Sequence, residues 1–155
     1  MSTINMTTSM TAATIFNHYA GQLSYTSADI IALFDQARGW EAKYRQIMLL
    51  GKQLPALDEQ YKQDSAKVKG CESQVWLHHE IDEQGLYHFA ADSDARIIKG
   101  LVIVILAAYN QLTAKQIKQF DIEAYFAQLD LLKHLSPSRS NGIHAIVRSV
   151  EGIVT

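Results

Sequence analysis

Apolar residues first fall into register after residue 26, where Ile30, Ile31, Leu33 and Phe34 share one helical face. Ser27 stands ready as N-cap and Asp29 falls in the first turn, so the pattern predicts a helix here. Gly39 loosens or bends the run. Trp40, Tyr44, Ile47 and Met48 then recur at helical spacing, with Gly51 as a C-cap and Pro55 beyond it, predicting a second helix that ends near Leu50. Trp40 and Tyr44 could offer a stacking platform, but aromatic residues at i, i+4 are expected to face the core. Leu54 to Leu57 reads as a loop, and Asp58 to Asp64 as a short exposed helix. The period then changes. Gln74 to Ile81 and Leu86 to Ala91 read as strands joined by the turn-rich Asp82-Glu83-Gln84-Gly85, an antiparallel hairpin to which Val68 could add a short third strand.

Beyond the hairpin, Asp92, Ser93 and Asp94 supply capping candidates and acidic charge where a helix dipole favours it. The helix they would open, Ala95 to Asn110, is apolar nearly all the way round and is expected to be buried at the centre of the fold. Thr113 caps a short helix over Ala114 to Gln119, and Asp121 caps another with Ile122, Tyr125, Phe126 and Leu129 on its inner stripe. Ser136-Pro137 opens the last helix, whose inner face is Ile143, Ile146, Val147 and Val150, with Ser138, Arg139, Ser140 and Asn141 in its first turns. The order of helices, strands and helices predicts an α+β domain, a small antiparallel sheet covered on one face by helices. Residues 1–25 are polar and weakly patterned apart from Ile15, Phe16 and Tyr19, and read as a weakly ordered N-terminal arm before a single domain over 26–155.

Composition narrows the classes. A chain of 155 residues can bury roughly 70% of its unfolded surface without staples, and 48% hydrophobic against 19% charged residues excludes a disordered chain. Fourteen Lys+Arg against sixteen Asp+Glu give a charge of −2, with no positive excess for a phosphate backbone, so nucleic acid is not an expected partner. The first twenty residues lack Lys, Arg and the apolar run of a signal peptide, and the longest apolar run, Leu101 to Tyr109, is too short for a bilayer. A cytoplasmic location with no membrane partner is expected. The eight glycines form no phosphate cradle, and a single cysteine can make no internal disulfide, which implies a reducing compartment.

That cysteine is Cys71, set after Gly70, which permits a tight or left-handed turn, and before the strand residues Val75, Trp76 and Leu77. A lone cysteine can be no more than a small buried hydrophobe, but the turn would present this one. At an unperturbed pKa near ~8.5 only about 3% of it would be thiolate at neutral pH. Lys67, Lys69 and Glu72 largely offset one another, so no local arrangement forces the pKa down. His78, His79 and His88 invite a Cys-His pair or a zinc site, yet strand alternation places His78 and His79 on opposite faces, and structural or solvated histidines are expected. Asp92 and Asp94 are most simply caps. Arg139 at a helix N-terminus works against the dipole and points to service for a partner or for the cysteine.

The segment Val68-Lys69-Gly70-Cys71-Glu72-Ser73-Gln74-Val75-Trp76-Leu77 resembles the signature of the SufE/CsdE family of sulfur-acceptor proteins. The resemblance continues through Leu50-Gly51-Lys52-Gln53-Leu54-Pro55, Asp92-Ser93-Asp94-Ala95, Ile98-Lys99-Gly100-Leu101 and Leu135-Ser136-Pro137-Ser138-Arg139-Ser140-Asn141-Gly142, and covers residues 30 to 150. It implies a fold similar to the IscU-type scaffold proteins. It also implies a role for Cys71 as acceptor of persulfide sulfur from a pyridoxal-phosphate cysteine desulfurase of the SufS or CsdA type. This chain would stimulate that partner and pass the sulfur to an iron-sulfur scaffold or another acceptor, holding no cofactor or metal of its own; pyridoxal phosphate belongs to the partner. Asp94 and Arg139 match family positions near the cysteine loop, and Gly70 would give that loop its reach. Two alternatives stand beside this one: an iron-sulfur scaffold-like protein, and a stand-alone thiol enzyme using Cys71 with a histidine.

Overall fold

The computed structural model describes residues 25–154, in which six α-helices accompany an open three-stranded antiparallel sheet and helices pack against it. The fold class is the α+β arrangement expected from the order of elements. The reading of residues 1–25 as an arm, with Ile15, Phe16 and Tyr19 as its grip, falls almost wholly outside the described residues.

Helix α1, Ser27–Gln36, begins one residue earlier than expected: Thr26 is the N-cap, and it forms a capping box with Asp29, each side chain bonded to the other's backbone N–H. Ile30 and Phe34 carry its buried face. Gly39, at φ +80°, ends the connection and opens α2, Gly39–Gln53. Here two expectations fail. Gly51 is not a C-cap but a buried position inside α2, and the buried stripe is Ile47, Leu50 and Gly51. Trp40, seven residues before Ile47 and so on its face, does pack half-buried against the core with its ring stacked on His134 at 4.9 Å, whereas Tyr44 stays 39% exposed. Helical spacing fixes which residues share a face, but not how much of that face's length is covered.

Asp58 to Asp64 forms two 3₁₀ turns, Glu59–Tyr61 and Asp64–Ala66, rather than one short helix. Strand β1, Val75–Ile81, pairs with β2, Leu86–Ser93, in the register Val75 to Ser93 and Ile81 to Tyr87. Asp82 builds the turn: its Oδ1 accepts the N–H groups of Gln84 and Leu86, and its Oδ2 lies 2.8 Å from His88 Nε2. These bonds, His88 foremost, hold the Asp82 carboxyl below its ordinary pKa. The third strand is not at Val68. It is β3, Leu112–Thr113, which reaches β2 through Gln111 at φ 65°, while Lys67 makes only an isolated bridge to Trp76.

Asp92 and Ser93 belong to β2, so the capping expected from this segment for the central helix does not form. Helix α3, Arg96–Tyr109, has Ala95 as N-cap with no side-chain cap bond. Buried Asp92 instead accepts N–H from Leu57 and Ser93 and lies 3.7 and 3.8 Å from the Nζ atoms of Lys62 and Lys99. An acid removed from water needs such partners, and these tie the loop after α2 to the sheet. Every residue from Leu101 to Tyr109 is buried, as the unbroken apolar run predicts. α4, Ala114–Gln119, is capped by Thr113, and α5, Ile122–Leu129, by Asp121. Tyr125 anchors α5 by donating from its hydroxyl to the carbonyl of Val104 at 2.8 Å. Ser136 caps α6, Pro137–Ile153, with Pro137 in its first turn, and Ile143, Ile146, Val147 and Val150 face inward.

Candidate functional site

The five residues 69–73 cross from the 3₁₀ turns to β1, and the sheet fixes both their ends. Val68 N–H donates to the Val75 carbonyl at 2.8 Å. Gln74 N–H donates to Asp94 Oδ1 at 3.0 Å, and the Gln74 carbonyl accepts from Ser93 Oγ at 2.7 Å and from Asp94 N–H at 3.3 Å. Between these anchors Gly70 sits at φ +88°, the left-handed region where a β-carbon would be strained. The turn read from the sequence therefore depends on this glycine, and it lays the next residues against α6.

The face of α6 that receives them is made of small side chains. Ser138, Gly142 and Ala145 follow one another at i, i+4 and i+7 and so share one side of the helix. A β-carbon on Gly142 would lie 3.1 Å from Cys71 Sγ, so the missing side chain is the space in which the thiol is seated. Ala145 Cβ and Arg148 Nη2 both stand 3.7 Å from the position a β-carbon on Gly70 would occupy. Ser138 Oγ donates to Glu72 Oε2. Cys71 itself is half-buried against the hydrophobic core.

Burial is the main reason the Cys71 thiol is pushed above its ordinary pKa. The carboxylates of Asp94 and Glu72 push it the same way, while a hydrogen bond from Ser73 N–H to the sulfur pulls against them. At neutral pH the thiolate fraction is thus below the roughly 3% of an unperturbed thiol. Since only the thiolate is a nucleophile, the rate of alkylation of the isolated protein by iodoacetamide is expected to climb with pH through a midpoint above that of free cysteine. A midpoint below that of free cysteine, measured under the same conditions, would contradict this electrostatic picture.

The remaining candidates separate cleanly. Asp94 is at the site, exposed, holding the loop base and adding charge beside the thiol. Asp92 is the buried tie described above. Arg139 is exposed in the first turn of α6, one residue from the serine that meets Glu72, and its backbone N–H goes to the Ser136 cap. The cation that stands beside the turn is Arg148, which the sequence reading did not single out. Nor did that reading find Gly142 as the seat or Ser138 as the partner of Glu72, although the small residues at i, i+4, i+7 were the available signal. His78 Nε2 lies 2.7 Å from the Tyr61 carbonyl, His79 stacks on Tyr87, and His88 meets Asp82. Each histidine has a structural partner, as expected. Among the described residues no group of three or more His, Cys, Asp or Glu is arranged to hold a metal, and no helix is long and apolar enough to cross a membrane.

A glycine turn, one half-buried thiol and a small-residue helix face are thus brought together by segments about seventy positions apart. A family model described as "SufE: Fe-S metabolism associated domain" matches residues 28–154, a span that takes in every one of these elements.

Proposed function

The chain belongs to the SufE family, whose domain is associated with iron-sulfur metabolism, and from that premise we propose that it is a sulfur carrier that accepts a persulfide sulfur on Cys71. The donor is the active-site cysteine persulfide of a pyridoxal-phosphate cysteine desulfurase of the SufS or CsdA type. The Cys71 thiolate attacks the terminal sulfur of that persulfide. A sulfur-sulfur bond forms to Cys71, the bond within the donor persulfide breaks, and its electron pair leaves on the donor's own sulfur as a thiolate. No net oxidation occurs. The chain acts through its partner's chemistry rather than as an enzyme alone, and passes the sulfur to an iron-sulfur scaffold or another acceptor.

The observation that carries this reading is the state of the thiol: half-buried, held protonated by burial and two carboxylates, and seated on Gly142. A stand-alone nucleophile would be poorly served by such surroundings, whereas a carrier benefits from a resting thiol that resists stray oxidation. With no second cysteine in the chain, a persulfide on Cys71 cannot collapse into an internal disulfide. Activation then falls to the partner when the loop leaves α6. Asp94 and the exposed Arg139 lie on the partner-facing rim in this account. To test it, alanine release by a purified desulfurase is followed with and without this protein. Stimulation that saturates with added protein supports the reading; a rate unchanged at every concentration overturns it.

A further inference from the structure

The loop that carries Cys71 is held unevenly. Its two ends are fixed by backbone and side-chain bonds at Val68 and Gln74. Among the described residues, the side-chain hydrogen bond that ties residues 69–73 to another element is the one donated by Ser138 Oγ to Glu72 Oε2. Among the described residues, what else joins the tip to α6 is packing: Cys71 against Gly142, and Gly70 beside Ala145 and Arg148. A segment with firm ends and one polar contact at its tip opens locally without disturbing the sheet.

We infer that Glu72 and Ser138 form the latch that keeps the Cys71 loop down on α6, and that breaking this bond frees the thiol for exchange. That the freed thiol meets a desulfurase rests on the carrier function proposed above; the latch itself does not. Both residues are positioning residues, acting through Cys71. The bond lies at the surface, within reach of a competitor, and Glu72 offers a full negative charge to one. A basic side chain of an arriving protein that captures the Glu72 carboxylate would open the loop. It would also neutralise one of the two charges, Glu72 and Asp94, that disfavour the thiolate, so exposure and activation are coupled in a single contact. Arg148 on α6, whose Nη2 stands beside Gly70, stays behind when the loop lifts, while Lys69, within the loop, travels with the thiol.

The test uses the full chain without any partner and reads iodoacetamide alkylation of Cys71 across a pH series, separating the midpoint from the plateau reached by the fully ionised thiol. Ser138→Ala breaks the latch and leaves the charge of Glu72 in place. Its plateau is expected to rise roughly five- to tenfold, the factor that corresponds to one ordinary net hydrogen bond. Glu72→Gln keeps an acceptor but removes the charge, so its midpoint moves down while its plateau moves less. Ser138→Thr keeps the hydroxyl and restores the parent rate. Matched thermal unfolding midpoints show that none of the variants reacts through global unfolding. A Ser138→Ala plateau equal to the parent's, or a Ser138→Thr variant as fast as Ser138→Ala, overturns the latch. Because no desulfurase is present, either result leaves the carrier reading where it stood, and loss of the carrier reading would leave these rates unaltered.

Discussion

Cys71→Ser is expected to unfold at the same temperature as the parent, to accept no sulfur, and to leave a partner desulfurase at its unstimulated rate. The side chain is only half-buried, and serine replaces sulfur with a smaller oxygen at a site already lined by the polar Ser73 N–H. Stability should therefore change by less than about 1 kcal/mol, because the half-buried site offers the new hydroxyl a polar partner and the volume change is small. The chemical loss is complete by contrast, because an alcohol cannot attack a persulfide to give a product that returns sulfur by thiol exchange. Desulfurase assays with the variant titrated alongside the parent check both parts. Stimulation by Cys71→Ser equal to that by the parent would mean that docking alone, without sulfur acceptance, drives the partner.

The largest effect on stability is expected far from the thiol, where α2 crosses α3. A β-carbon on Gly100 would lie 2.0 Å from the Ile47 carbonyl oxygen and 2.6 Å from its Cγ2, and one on Gly51 would lie 3.0 Å from the Arg96 oxygen. The two helices thus touch backbone to backbone, and the obstacle at Gly100 is main chain, which cannot rotate away. Gly100→Ala forces the helices apart and is expected to cost about 3 kcal/mol or more, at the upper end of overpacking. The roughly 1 kcal/mol that alanine gains over glycine in a helix offsets only part of the clash. For a domain of this size that is a fall of about 6–12 °C in the unfolding midpoint. Gly152→Ala is the control, since nothing lies within 4 Å of its β-carbon, and it should leave the midpoint unchanged or slightly raised. A loss below about 1 kcal/mol for Gly100→Ala would show that the crossing is looser than its geometry implies.

The same crossing shows where sequence reading stops. The run from Leu101 to Tyr109 carries its own proof of burial, because an all-apolar helix has nowhere else to go, and Ser136-Pro137 and Thr113 carry local capping chemistry that needs no tertiary partner. Gly51 looked like a helix stop for an equally local reason. Its real role, making room for α3, depends on Arg96 and Gly100, which lie more than forty positions away. Asp92 failed in the same manner: an acid before a helix reads as a cap, but the strand ran two residues further and carried it into the core beside Lys62 and Lys99. Trp40 had the right period and does pack on the core, whereas Tyr44, with the same period, stays 39% exposed, because a shared face does not say how much of its length the core covers.

At the site the division follows the same line. Gly70 and Cys71 were legible because a turn glycine before a strand is a local signal, and the φ of +88° agrees with it. Asp94 was placed near the loop by resemblance, and its bond to Gln74 N–H puts it there. Its expected role as a cap did not survive. Gly142 and Ser138 became visible only when α6 was laid under the loop, since nothing in residues 69–73 says which helix receives them.

If Cys71 is a way-station for sulfur, intact-mass analysis will show the sulfur on it. The protein is incubated with a purified cysteine desulfurase and free cysteine, separated without reductant, weighed, and mapped by peptide. The expected result is a mass gain of one sulfur, located on the peptide that contains Cys71 and removed by dithiothreitol. A desulfurase that turns over normally while Cys71 stays unmodified, or a sulfur lodged elsewhere in the chain, would contradict it.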